Sequence, residues 1–195
     1  MFSELNHRIK NNMQMLGSLL RVAQRETANR EARLALGDAI QRVGAMAAAQ
    51  KVFYQQNNAV AFNARDFISS VCATASLNLG DGITVHCDAV ADELSNDTAV
   101  PLALILNELL ANAAKHGING RGKGIIKVGL AKVTGSFVLS VEDDGAGFVP
   151  GETRRRSSGL GLVRGLAKQI GGTFEVECVP GARCIIRFPG DHHIQ

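Results

Sequence analysis

The stretch LNELLANAAKHG, residues 106–117, carries two patterns on one helix. Leu102, Ile105, Leu106, Leu109 and Ala113 recur at steps of three and four and mark one buried side, which predicts a helix over about 98–116. Glu108, Asn112 and Lys115 fall at i, i+4 and i+7 and share a different side. A carboxylate, an amide oxygen and an ammonium in one row suit a hydrated magnesium ion bridging phosphates. Magnesium keeps few protein oxygens beside water and phosphate, and the lysine offsets phosphate charge. An ordinary solvated helix face has the same composition, and the helix alone does not choose between the two.

Two glycine-bearing segments follow. VEDDGAGF, residues 141–148, ends a predicted strand with Asp143, Gly145 and Gly147. A carboxylate there can accept from an exocyclic amine such as that of adenine, and glycines let the backbone approach a flat ring. SSGLGL, residues 157–162, opens a predicted helix. Backbone N–H groups at a helix start, with no side chains in the way at Gly159 and Gly161, make a phosphate site. Neither segment is a GxxxxGK[ST] loop, and no GxGxxG follows the first strand of a βαβ unit, so both common nucleotide folds are disfavoured.

Around this core the predicted elements mix. A helix follows Asn63, a cap with Asp66 three residues on, and runs to Gly80. Strands are expected at 83–87, 125–131 and 137–142, and a helix at 160–170. A terminal hairpin, 173–177 with 183–188, turns at Pro180-Gly181. The strands look antiparallel, with helices between them, which predicts an α+β fold with an α/β sandwich.

The first 56 residues have a different texture, without proline. In ELNHRIKNNMQMLGSLLR, residues 4–21, Leu5, Ile9, Met13, Leu16, Leu20 and Ala23 trace one helical face. His7, Asn11, Gln14 and Ser18 run along another. After a break at 27–29, Leu36, Ile40, Val43, Ala47, Gln50 and Tyr54 form a heptad-like stripe. A lone helical hairpin cannot bury its own seam, so a homodimeric four-helix bundle is expected, with His7 on its outer wall. The expected division is residues 1–56 for the hairpin, 57–61 for a polar linker and 62–195 for the sandwich.

Composition excludes several classes. The 195 residues are 46% hydrophobic, enough for a real core, and a net charge of +3 with scattered basic residues argues against nucleic acid. Cys72, Cys87, Cys178 and Cys184 show neither close pairing nor metal spacing, so small core thiols in a reduced, cytoplasmic setting are expected. No apolar run approaches the ~20 residues of a membrane span.

Taken in order, NELLANAAKH, DDGAGF and SSGLGL resemble the N, G1 and G2 boxes of the GHKL (Bergerat-fold) ATP-binding domain, over about residues 62–189. HRIKNNMQ resembles the phosphoacceptor box of sensor histidine kinases, in the subclass reading His-Arg-x-Lys-Asn-Asn, close to the HWE kinases. The resemblance implies ATP and Mg2+ as cofactors and His7 as the nucleophile that takes the γ-phosphoryl group. It implies Glu108 and Asn112 at the magnesium ion and Lys115 and His116 near phosphate. Asp143, Gly145 and Gly147 would stand around adenine, and Ser158, Gly159, Leu160 and Gly161 would cradle phosphates. The lid from Phe148 to Ser158, eleven residues, would be short. Arg8 follows the acceptor and cannot take a proton; the candidates for base are Glu4, whose other reading is a helix N-terminal acid that complements the dipole, and Glu108. The implied partners are a second copy, a response-regulator receiver domain, and an upstream sensory domain or separate sensor. Two other classes stay open: a dimeric phosphotransfer protein with a vestigial ATP domain, and a Bergerat-fold ATPase or serine kinase.

Overall fold

The computed structural model describes residues 2–55, 61–77, 79–118, 122–146 and 157–190, with the side chains of 2–7, 10, 48, 50–55, 157, 158 and 179 outside the description. Gly147, the stretch 148–156 with Arg154–Arg156, the linker residues 56–60, and His192 and His193 lie outside the described residues. So do the side chains of Glu4, His7 and Ser158.

Helix α1 (Phe2–Glu26) and helix α2 (Arg30–Gln55) form an antiparallel pair. Asn29 ends the break between them: its Oδ1 accepts from the N–H groups of Glu31 at 2.8 Å and Ala32 at 3.1 Å, capping α2. Gly17 sits opposite Val43, and the Gln24 side-chain amide donates to the Arg33 carbonyl at 3.0 Å. These contacts set the register of the hairpin.

Strand β1 (Ala61–Asn63) leads into α3 (Ala64–Ser76), then β2 (Ile83–Ala89), β3 (Glu93–Ser95) and α4 (Asn96–Asn112). A single π turn (Ala113–Gly117) extends α4, followed by β4 (Gly124–Val133), β5 (Ser136–Asp143), α5 (Ser157–Gln169), β6 (Thr173–Val179) and β7 (Gly181–Pro189). Five strands make one sheet in the order β2-β4-β5-β7-β6. Period-two burial on β5 (Phe137, Leu139, Val141, Asp143 inward) meets Leu102, Ile105, Leu106 and Leu109 of α4 in one core with α3 and α5. Helix α2 packs on α3 and α4, so the hairpin lies against the sandwich.

The structure corrects four expectations. The sheet is mixed, since β2 pairs parallel with β4; the β3–α4 crossover between them is long enough to return the chain in the same direction. The third helix ends at Ser76, before the expected Gly80. A two-stranded ribbon, β1 with β3, escaped prediction because three-residue strands show no period. Of the four thiols, only Cys72 and Cys184 are buried; Cys87 and Cys178 are exposed because β2 and β6 are the edge strands.

The Asn63 cap is present, its Oδ1 accepting from the Asp66 N–H at 3.1 Å. Asn63→Ala should cost about 1 kcal/mol of stability. Urea denaturation of the two proteins measures this directly; an unchanged midpoint would show that the cap contributes nothing.

Candidate functional site: a pocket over α4

Helix α4 brings the row Glu108, Asn112 and Lys115 to the edge of the core. The sequence leaves undecided whether this row faces solvent; α2 covers part of it, and Glu108 is only 8% exposed. Burying a carboxylate without a partner is costly, and Arg42 of α2 supplies one. Its Nε donates to Glu108 Oε1 at 2.6 Å and its Nη2 to Oε2 at 3.1 Å. This hydrogen-bonded pairing raises the Arg42 pKa above its ordinary value. Two turns further on, Lys115 Nζ meets Asp38 Oδ1 at 2.6 Å, an exposed pair of modest weight.

Asn112 stands differently. Its side-chain N–H2 group is buried with no protein partner. Such a group forfeits about 1–3 kcal/mol unless something accepts from it, and a phosphate oxygen is a suitable acceptor. Gly159, in the first turn of α5, faces Glu108 and Asn112: a Cβ there would stand 2.9 Å from Glu108 Oε2 and 3.6 Å from Asn112 Nδ2. The G2 segment and the N-box row are therefore pressed together, and the absent side chain is what permits it.

Asp143, 4% exposed, ends β5 beneath the same pocket. Burial pushes its carboxyl above the usual range, partly offset by backbone hydrogen bonds from Gly145 and Ala182; the first is 3.0 Å long. Three glycines close around it. A Cβ on Gly117 would overlap the Asp143 carboxylate, one on Gly181 the Asp143 carbonyl, and one on Gly145 the Gly117 carbonyl. Gly181 also has φ +112°, which a side chain would strain. The π turn delivers Gly117 to this position, with Ile118 N–H bonded to the Ala113 carbonyl at 3.0 Å. Asp144, next in sequence, turns the other way: its Oδ1 accepts from the Ile125 N–H at 2.9 Å and pins the strand end.

Leu109, Asn112, Ala113, Val141, Asp143 and Leu160 line a cavity of ≈ 30 Å³. An adjoining groove of ≈ 290 Å³ runs past Arg42, Glu108, Lys115 and Gly159, and the two share Asn112 and His116. Glu108, Asn112, Lys115, His116, Asp143, Gly145, Gly159 and Leu160 thus converge at one site, although far apart in sequence. Gly161 is exposed, one turn along α5. Sequence reasoning missed Gly117, Gly181, Cys184, Asp38 and Arg42. The glycine after the N box was a readable signal; the two α2 residues had none, since only docking brings them here.

The model of the histidine kinase family matches residues 4–78, and that of the histidine kinase-, DNA gyrase B-, and HSP90-like ATPases matches 97–192. The chain belongs to the histidine kinases. Its two parts are those of a sensor histidine kinase core, an acceptor-type helical segment and an ATP-binding domain. The sensor histidine kinase PdtaS of Mycolicibacterium smegmatis is 28% identical over 198 residues, covering 95% of this chain and 39% of that protein. Blue-light-activated histidine kinase 2 of Erythrobacter litoralis is 26% identical over 186 residues, 89% of this chain and 52% of that protein. The chain therefore spans about half or less of these relatives. The histidine kinase domain of a blue-light activated kinase from Erythrobacter litoralis shares the fold, with TM-score 0.70 and 21% identity over 92% of this chain and 94% of that one. Among the described residues, no helix of this kinase core is long and apolar enough to cross a membrane.

Because burial raises the Asp143 pKa in the folded state, the folded protein holds a proton that the unfolded chain gives up near pH ~3.9. Wild type should therefore gain stability relative to Asp143→Asn as pH falls from neutral toward ~4, and lose that advantage as pH rises through the folded value. Thermal melts of both proteins across this range test the sign; a difference independent of pH would mean the carboxyl is not desolvated.

Proposed function

We propose that this core binds Mg2+–ATP across α4, transfers the γ-phosphoryl group to His7, and passes it to an aspartate of a response-regulator receiver domain. The observation that carries the reading is the buried, unpartnered Asn112 amide, set against Gly159 and beside Asp143. A phosphotransfer relay with a vestigial ATP domain has no use for that assembly. An ATPase or serine kinase has no use for the acceptor helix.

The residues fit a magnesium ion carried by the nucleotide. Among the described residues no group of three or more His, Cys, Asp or Glu side chains could hold a metal alone; one amide oxygen and one carboxylate, with phosphate and water, match what magnesium takes. Asn112 and Glu108 would hold it, and the ion would neutralise charge on the phosphates. Lys115, His116 and the α5 start, with Ser158, Gly159, Leu160 and Gly161, would support phosphates, while Asp143, Gly145 and Gly147 would receive adenine. His7 attacks as neutral imidazole, which an ordinary pKa near ~6.5 allows. Glu4, three residues before His7 on α1, is one candidate to accept its proton and Glu108 the other. The exposed Met15, Leu16, Leu19 and Val22 make an apolar strip on α1 that suits pairing with a second copy. An upstream sensory domain or a separate sensor would supply the signal, in a cytoplasmic setting.

With γ-labelled ATP and Mg2+, the purified chain should acquire acid-labile, base-stable label, and His7→Ala should acquire none. Label retained by His7→Ala, or an acid-stable phosphoester, would overturn the reading.

The docked arrangement is a restrained one. Both Glu108 oxygens accept from Arg42, so a metal or a proton would have to compete with the guanidinium for them. The hairpin register, with Gly17 opposite Val43, puts Arg42 level with about residue 18. That is eleven residues beyond His7, roughly 16 Å along α1 at ~1.5 Å per residue. Phosphoryl transfer to the chain's own His7 then requires the ATP domain to leave this seat. Arg42→Ala should raise the initial rate of autophosphorylation several-fold, read in a time course at fixed ATP. An unchanged or slower rate would show that the pair restrains nothing.

A further inference from the structure

Cys72 and Cys87 take no part in the nucleotide site, yet they meet. Arg65 Nε on α3 donates to the Ala89 carbonyl of β2 at 2.8 Å, which fixes how the helix lies against the strand. Cys72 belongs to the buried face of α3 with Phe67, Ile68, Val71 and Ala75. Strand residues alternate between faces, so Cys87 shares its side with Ile83, Val85 and Ala89, the positions of β2 packed into or against the core. Helix α3 packs along β2, and these two faces set Cys72 against Cys87, with Ser69 one turn before Cys72, so that each thiol shifts the titration of the other. The pair is unequal: Cys72 is 4% exposed, whereas Cys87 is open to solvent on an edge strand.

We propose that Cys72 and Cys87 form a hydroperoxide-oxidisable dithiol, in which Cys87 reacts first and Cys72 resolves it into a disulfide joining α3 to β2. The Cys87 thiolate attacks a peroxide oxygen, the O–O bond breaks, and the departing oxygen leaves as alcohol or water after taking a proton. Sulfur is oxidised to sulfenic acid and the peroxide is reduced. Cys72 then gives up its proton and attacks the Cys87 sulfur; the S–S bond forms and the sulfenic oxygen leaves as water. Two thiols and one hydroperoxide yield one disulfide, one alcohol (or water) and one water.

The surroundings divide the roles. Hydrogen bonds from Cys72 and then Ser69 outweigh burial and the Asp88 charge and lower Cys87 to about 7, which favours its thiolate. The bond to Cys87 and burial push Cys72 up, which keeps it a thiol until its neighbour is oxidised. The crosslink would staple the edge strand to α3, a helix that also packs on α2 and α4.

The test treats the full, reduced chain with hydrogen peroxide, then counts free thiols and maps peptides. Two thiols should disappear, a Cys72–Cys87 linked peptide should appear, and dithiothreitol should reverse both changes. Cys87→Ser should prevent the loss, and Cys72→Ala should leave a Cys87 sulfenic acid that dimedone traps. A full complement of thiols after treatment, a disulfide joining any other pair, or no dimedone adduct in Cys72→Ala would overturn the proposal. The wild-type peptide map decides it even if a variant fails to fold.

Discussion

Burial of α4 against the sheet is the contact on which the rest of the molecule depends. Leu102, Ile105, Leu106, Leu109 and Leu110 are all nearly or fully enclosed. Side chains of this size each contribute about 1.5–3 kcal/mol when removed from water. The helix touches α2, α3, α5 and β5, so its position fixes theirs. Because 3.6 residues make a turn, anchoring the apolar side of α4 also fixes where its polar row emerges. The pocket is the far edge of a packing problem.

Polar groups at that edge are held by short-range compensation. Glu108 is buried and has a two-point arginine partner; Asp143 is buried and has backbone donors and a cage of glycines. Among the described residues, Asn112 is the one buried side chain that keeps an unused donor. Two of the three polar residues are thus satisfied within the protein, and the third points to what the site lacks. The same logic couples the halves of the chain: the Glu108 carboxylate at the pocket is satisfied by Arg42 of the helical hairpin.

Much of this was legible in residue order. The break at Asn29, the Asn63 cap, the β5 alternation and the hairpin turning at Pro180-Gly181 are local signals, set by side chains within a few positions of one another, and the structure contains each of them. The ribbon of β1 and β3 left no trace because three residues are too few to show a period. The π turn was hidden because LNELLANAAKHG reads as unbroken helix; it opens only where Gly117 has to pass under Asp143.

The sequence by itself determined the types and order of the main elements and marked Asn112, Asp143 and Gly159 as members of one pocket, since helical and strand periods and glycine placement act over a few residues. It left open whether Glu108, Asn112 and Lys115 lie on a solvated face. Tertiary structure decided that, by laying α2 over α4 and pairing Glu108 with Arg42, 66 positions away. It also decided that Cys72 meets Cys87, through the packing of α3 on β2. Contacts of this kind depend on how whole faces dock, and no local pattern of residues encodes them.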